Sequence, residues 1–198
     1  MKCCKRAWPR RSRSPRVCTD QYVMNVWVFA YGSLIWRPDF KFLERRQARV
    51  RGWQRRFWQG SHDHRGVPKQ PGRVVTLVPE SSAHCDGMAY LLESEVAHRT
   101  FEVLDHREKN GYERVEVCIE FSSTEQVDGI MYIAPTDNHA FLGPAPLDDM
   151  VAQIRTCEGP SGKNVDYLFE LADALRALDA DDSHVFELEA AVRTGLEK

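Results

Sequence analysis

No run in this chain approaches the roughly 20 apolar residues that a membrane-spanning helix needs, so nothing in the 198 residues reads as a transmembrane segment. Metal-binding patterns are also missing. The six cysteines include no C-x-x-C pair, and none has a set of histidines at zinc spacing nearby. Cys85, Cys118 and Cys157 are scattered through the body, as expected of reduced thiols rather than a disulfide framework. Acids are absent before Asp20, and the basic stretch there precedes no apolar h-region, which excludes a secretory signal. Residues 1–24 hold seven Lys or Arg against one acid and read as an extension outside the fold. They fit an upstream extension of the reading frame, with Met24 as the alternative start, or an organelle transit peptide. The remaining residues, 25–198, hold 20 basic against 28 acidic side chains, a mildly acidic body unsuited to bulk binding of nucleic acid or of an anionic membrane.

With 42% apolar residues the body is one domain with a full core. Val26–Ala30 is an apolar strand, Arg49 to Trp58 reads as one or two strands, and Arg73–Val78 and Met88–Leu92 are short strands bounded by Gly and Pro. Val115, Val117, Ile119 and Phe121 alternate with polar partners, and Gly129–Ile133 follows. Most of these six strands are joined too tightly for a crossover helix. The expected fold is therefore α+β, with a small, curved, mostly antiparallel sheet or barrel. Helical periods from Leu147, from Val165 and around Val185, Leu188 and Val192 place helices at the C-terminal end as cover for that sheet.

Two features carry chemistry. Tyr31-Gly32-Ser33-Leu34 ends the first strand in a Gly-Ser turn, whose successive N–H groups can form a concavity for a carboxylate or phosphate; the same pattern also makes ordinary turns. Ser94 to about Lys109 is a helix whose apolar face, drawn through Val96, Ala97, Phe101, Val103 and Leu104, also contains Glu108. A carboxyl held among apolar neighbours has a raised pKa and can serve as general base or acid, while a helix-end Glu bridged to an Arg is the structural alternative. Ser61-His62-Asp63-His64-Arg65-Gly66 reads as a self-bonded polar loop. Gly159 to Asn164 imitates a phosphate loop but has Cys157 and Asn164 where Gly and Ser or Thr belong, so it reads as a turn into a helix. The arginines between Arg45 and Arg56 are expected to pair with the acidic excess rather than with nucleic acid.

Several motifs then occur in order: Val28 to Trp36, Arg56 to Ser61 with His64-Arg65-Gly66, Pro71 to Leu77, Arg107-Glu108-Lys109 with Gly111-Tyr112, and Leu142 to Pro146. From about Val26 to the C-terminus the chain strongly resembles the ChaC family, the glutathione-specific gamma-glutamylcyclotransferases. The resemblance implies a barrel-centred fold that cleaves glutathione to 5-oxoproline and cysteinylglycine without metal or organic cofactor. A cytoplasmic monomer with a small-molecule substrate is the expectation, with no nucleic-acid or membrane partner. Carried over, the substrate loop falls on Val28, Phe29, Ala30, Tyr31, Gly32, Ser33 and Leu34, the catalytic glutamate on Glu108, and a tyrosine near the substrate on Tyr132. Ala30 departs from the Gly of many members and adds a methyl at the pocket floor. The competing readings are a cyclotransferase for other gamma-glutamyl amines or dipeptides, a non-catalytic gamma-glutamyl-binding or partner-binding protein, and a hydrolase using Ser33 and His64.

Overall fold

A computed structural model of the chain describes residues 25–107 and 111–196. The extension predicted at residues 1–24 and the Glu108 side chain lie outside the described residues. Five strands, β1 (Val26–Ala30), β2 (Glu44–Ser61), β3 (Gly72–Leu92), β4 (Glu113–Glu120) and β5 (Gln126–Ile133), close into a barrel in the order β1-β3-β2-β4-β5. Neighbours are antiparallel except where β1 meets β5, in register Trp27 to Gly129 and Phe29 to Met131. Val28, Phe29 and Ala30 of β1 are buried without alternation, the pattern of a strand covered on both faces.

The short strands expected at Arg73–Val78 and Met88–Leu92 are one 21-residue strand, so the barrel has five members where six were expected. Pro79 and Gly87, read as stops, lie inside it. Pro79 has no N–H to donate, and it sits opposite Trp53 beside the register shift between Arg51 and Trp53, where pairing is already interrupted. Gly52, at φ +80°, supplies the left-handed residue of that bulge. A second shift between Arg56 and Gln59 bends the long β2–β3 ribbon again, and this coiling lets two strands wrap much of the barrel.

The strand arginines pair as expected: Arg46 with Glu125, Arg49 with Asp86, Arg51 with Glu120 and Arg55 with Asp182. Helix α1 (Ser94–Arg107) follows β3, and α2 (Leu147–Thr156), α3 (Asn164–Ala177) and α4 (Ser183–Leu196) gather late in the chain. Their apolar stripes, including Ile154, Leu168, Leu171, Leu175, Val185, Leu188 and Val192, are sealed into the same core as the barrel. A two-residue hairpin, β6 (Glu158–Gly159) and β7 (Gly162–Lys163), interrupts the helical part where the sequence predicts a turn. Asn164, which opens α3, is fully buried and clamps β3 by accepting from Arg73 N at 2.6 Å and donating to Arg73 O at 2.7 Å. The buried face of α1 is Ala97, Thr100, Phe101 and Leu104; Val103, placed on that face from the sequence, is 57% exposed.

Candidate active site

Where β1 ends, the chain turns through Tyr31 and Gly32 into a single 3-10 turn, Ser33–Ile35, whose Leu34 and Ile35 side chains are anchored in the core. The loop is fixed from several directions. Ile35 N–H bonds Gly32 O at 2.9 Å and Arg37 N–H bonds Ser33 O at 2.8 Å. The buried Tyr90 hydroxyl donates to Leu34 O at 2.8 Å and Ile35 O at 3.2 Å. Burial pushes that phenol up to about 12, so it stays a donor at any physiological pH. Arg55 Nε donates to Tyr31 O at 2.8 Å from β2, and Arg107 Nη2 donates to Ser33 Oγ at 2.9 Å from α1.

This loop forms part of the wall of a cavity of about 250 Å³. Phe29, Ala30, Tyr31, Gly32, Ser33, Leu34 and Tyr132 all line it; Val28 does not, being fully buried in the core. The alternation of strand side chains accounts for part of this, since only the end of β1 reaches the opening. Tyr31 and Tyr132 are coupled, because the Tyr31 hydroxyl donates to Tyr132 O at 2.7 Å and the Tyr132 hydroxyl donates to Asp105 Oδ1 at 2.7 Å. Asp105 is held in turn by Arg114 at 3.1 Å. The end of β5 is thereby tied both to the loop and to α1.

Gly32 lies in close quarters. A Cβ there would stand 3.1 Å from both the Tyr167 hydroxyl and Val75 Cγ2, tighter than side chains normally pack. Tyr112 closes the neighbouring wall, its hydroxyl donating to Val75 O at 2.7 Å. Among the described residues, charge in the lining comes from Arg37, Arg65 and Arg107 against Asp39 and Asp63, a surplus of one positive charge before His64 is considered. Arg107 Nη1 pairs with Asp39 at 3.0 Å, and Arg37 Nε with the same carboxylate at 3.3 Å. An aromatic cavity with a small cationic excess is suited to a compact anion that also has apolar parts.

Sequence reasoning missed Asp39, Asp105, Tyr167 and Arg55 as parts of this region, and it read the Ser61–Gly66 stretch as a self-bonded polar loop, with His64 in the site only under the hydrolase reading. The structure puts Asp63, His64 and Arg65 in the cavity wall, alongside Ser161 from the β6–β7 turn. His62 stays out of it. Arg107 carried a signal, because it lies near the buried arc of α1 and precedes Glu108 in sequence.

Residues 26–195 match the family model described as ChaC-like protein. Gamma-glutamylcyclotransferase 2-3 of Arabidopsis thaliana is 45% identical over 179 residues, covering 86% of this chain and 89% of that protein. Glutathione-specific gamma-glutamylcyclotransferase 1 of Homo sapiens is 40% identical over 177 residues, covering 86% and 80%. A crystal structure of a gamma-glutamyl cyclotransferase specific to glutathione from yeast superposes with a TM-score of 0.81 at 30% identity, covering 86% of this chain and 96% of that one.

Proposed function

The chain belongs to the ChaC-like family, and from that premise we propose that it is a glutathione-specific gamma-glutamylcyclotransferase, releasing 5-oxoproline and cysteinylglycine. The observation that carries the reading is the convergence on one cavity of the Tyr31–Leu34 loop, Tyr132 and Arg107, the residue that immediately precedes Glu108.

The reaction is an internal acyl transfer. The α-amine of the glutamyl moiety attacks its own γ-carbonyl, a C–N bond forms to close the five-membered lactam, and the C–N bond to the cysteinyl nitrogen breaks. No water is added and nothing is oxidised. Because nucleophile and electrophile belong to one molecule, the main requirement is to hold them in a reactive conformer, where effective molarities of about 10⁵ to 10⁸ M are attainable. The N–H groups of Gly32, Ser33 and Leu34 take the glutamyl α-carboxylate, and the arginines of the wall favour a tripeptide with two carboxylates and one ammonium.

An ammonium has no lone pair with which to attack. Glu108 removes its proton and returns one to the departing nitrogen, so proton and leaving group balance within a single turnover. Such acid–base help is worth about 10² to 10⁴-fold. Tyr31 and Tyr132 offer the substrate their aromatic faces, their hydroxyl protons being committed to Tyr132 O and Asp105. Among the described residues no helix is long and apolar enough to cross a membrane.

Incubating the purified chain with glutathione in the presence of a chelator tests the reading: 5-oxoproline and cysteinylglycine should appear in equal amounts. Free glutamate as the product would replace cyclisation with hydrolysis.

A further inference from the structure

Attack on the γ-carbonyl pushes negative charge onto its oxygen, and catalysis of that step calls for a hydrogen-bond donor aimed at the atom where the charge builds. Three of the tyrosines in the cavity wall do not provide it. The hydroxyl protons of Tyr31 and Tyr132 go to Tyr132 O and Asp105 Oδ1, and that of Tyr112 goes to Val75 O. Ser33 differs from all three. Arg107 Nη2 lies 2.9 Å from Ser33 Oγ, and because a guanidinium can only donate, Ser33 is the acceptor in that bond and keeps its own proton to give elsewhere. Ser33 lines the cavity.

Arg107 is itself held in place. Its Nη1 donates to Asp39 Oδ2 at 3.0 Å and reaches Arg37 O at 3.4 Å, with only 21% of the side chain exposed. Asp39 adopts φ +48°, in the left-handed region that Asp and Asn enter more readily than other side chains. A residue kept there at the rim of a cavity is one whose place the surrounding structure over-determines. The main chain of Ser33 is pinned as well, its carbonyl accepting from Arg37 N–H at 2.8 Å. Asp39, Arg107 and Ser33 thus form a relay from carboxylate to guanidinium to hydroxyl. A cationic donor on Oγ draws electron density from it and makes the remaining O–H a stronger donor.

We propose that Ser33 is a catalytic residue, its hydroxyl donating to the γ-carbonyl oxygen as the lactam closes, and that Arg107 and Asp39 are the positioning residues that aim it. This rests on the cyclotransferase reading above. The placement follows from the ring being made: in 5-oxoproline the carbon bearing the α-carboxylate and the former γ-carbonyl carbon are bonded to the same nitrogen. A loop that grips the carboxylate through its N–H groups therefore has the carbonyl beside it. As the amine attacks, the carbonyl π pair moves onto oxygen and is met by the Ser33 O–H, whose proton stays on Oγ. The pair returns when the bond to the cysteinyl nitrogen breaks. The group served is the γ-carboxamide common to every gamma-glutamyl amine, so Ser33 governs rate rather than the choice of amine.

The test is steady-state release of 5-oxoproline from glutathione by the wild type, Ser33→Ala, Ser33→Thr, Asp39→Asn, and Ser33→Ala combined with Asp39→Asn. Ser33→Ala should lower kcat by about 10²- to 10³-fold, the effect of losing one oxyanion donor, with KM within about threefold of wild type. Ser33→Thr keeps a hydroxyl and should stay within about tenfold of the wild-type kcat. Asp39→Asn keeps a residue suited to the left-handed backbone and loses the charge that holds Arg107. It should lower kcat by about three- to tenfold alone and by less than about twofold on top of Ser33→Ala. A loss confined to KM would make Ser33 a binding residue and overturn the proposal. So would an undiminished kcat in Ser33→Ala, a Thr variant as slow as the Ala variant, or an equal effect of Asp39→Asn in both backgrounds. Ser33→Cys, whose thiol is a weak donor, should lose kcat in the same way and decides the matter if circular dichroism finds Ser33→Ala unfolded. Equal turnover by wild type and Ser33→Ala would sink this role and leave the cyclotransferase reading standing; no 5-oxoproline from the wild type would sink both.

Discussion

Replacing Arg55 by Met should remove a large part of the stability of the fold. The guanidinium is almost wholly buried, with 1% of its side chain exposed, and it holds three acceptors at once. They are Tyr31 O at 2.8 Å, Asp86 O at 2.5 Å and Asp182 Oδ2 at 2.5 Å. Asp182 is itself only 14% exposed, and its other oxygen caps α4 by accepting from Val185 N at 3.1 Å. Methionine fills a similar volume, so little of the effect comes from a cavity. What is lost is the partner of a buried carboxylate, which costs about 3–5 kcal/mol, with two stranded carbonyls included in that range rather than added to it. Against a total of about 5–15 kcal/mol this is severe, and for a chain of this size it lowers Tm by about 10 °C. Urea denaturation at pH 7 should show the midpoint falling with the slope unchanged. Arg55→Met combined with Asp182→Asn should recover part of the loss, because the uncompensated charge is then gone. A loss below about 1 kcal/mol, or a double variant no better than the single, would refute the view that this ion pair ties the Tyr31 loop to α4.

His184 predicts an acid-sensitive limb of stability. Its Nε2 accepts from Phe57 N–H at 3.1 Å, and burial, followed by the nearby Arg56 charge, pushes its pKa down from 6.5 to about 4. The unfolded chain therefore binds the extra proton between pH 6.5 and 4. The neutral ring's contribution is full above 6.5 and lost by about pH 4, a change of about 3 kcal/mol. His184→Gln, which retains an acceptor, should flatten denaturation midpoints over that window; an unchanged acid slope would remove His184 as the cause. Gly87→Ala should disturb the candidate site through β1, because its Cβ would fall 2.2 Å from Ala30 O and 2.8 Å from the Phe29 ring. About 1–3 kcal/mol of destabilisation is expected, together with a raised KM for glutathione, and wild-type behaviour in both would contradict that packing.

Much of the barrel is legible in local pattern. The Val26–Ala30 run, the alternation in β4 and the helical periods of α2, α3 and α4 each name the face they bury. The continuity of β3 is not legible, since Pro79 and Gly87 are stop signals in one dimension and become tolerable only beside a bulge or under a neighbouring strand. The parallel closure of β1 on β5 depends on pairing across a hundred residues, and no local period encodes it. On α1 the polar sequence allowed a face through Val103, whereas the packing buries Thr100 instead; small size outweighed hydropathy there. At the candidate site, the Gly-Ser turn is readable because its motif is compact, and Tyr132 only through the family resemblance. The place of Asp63 and Arg65 in the cavity wall is not, because they share it with Ser161, which reaches them only after folding.

The central claim is that one carboxylate moves the proton while the Gly-Ser loop holds the glutamyl end. Substituting Glu108 by Gln and following 5-oxoproline and cysteinylglycine release from glutathione, with binding measured in parallel, tests it most directly. The account predicts a rate at least about 100-fold lower with affinity within about threefold of wild type. Undiminished release of both products by the Gln variant would contradict it.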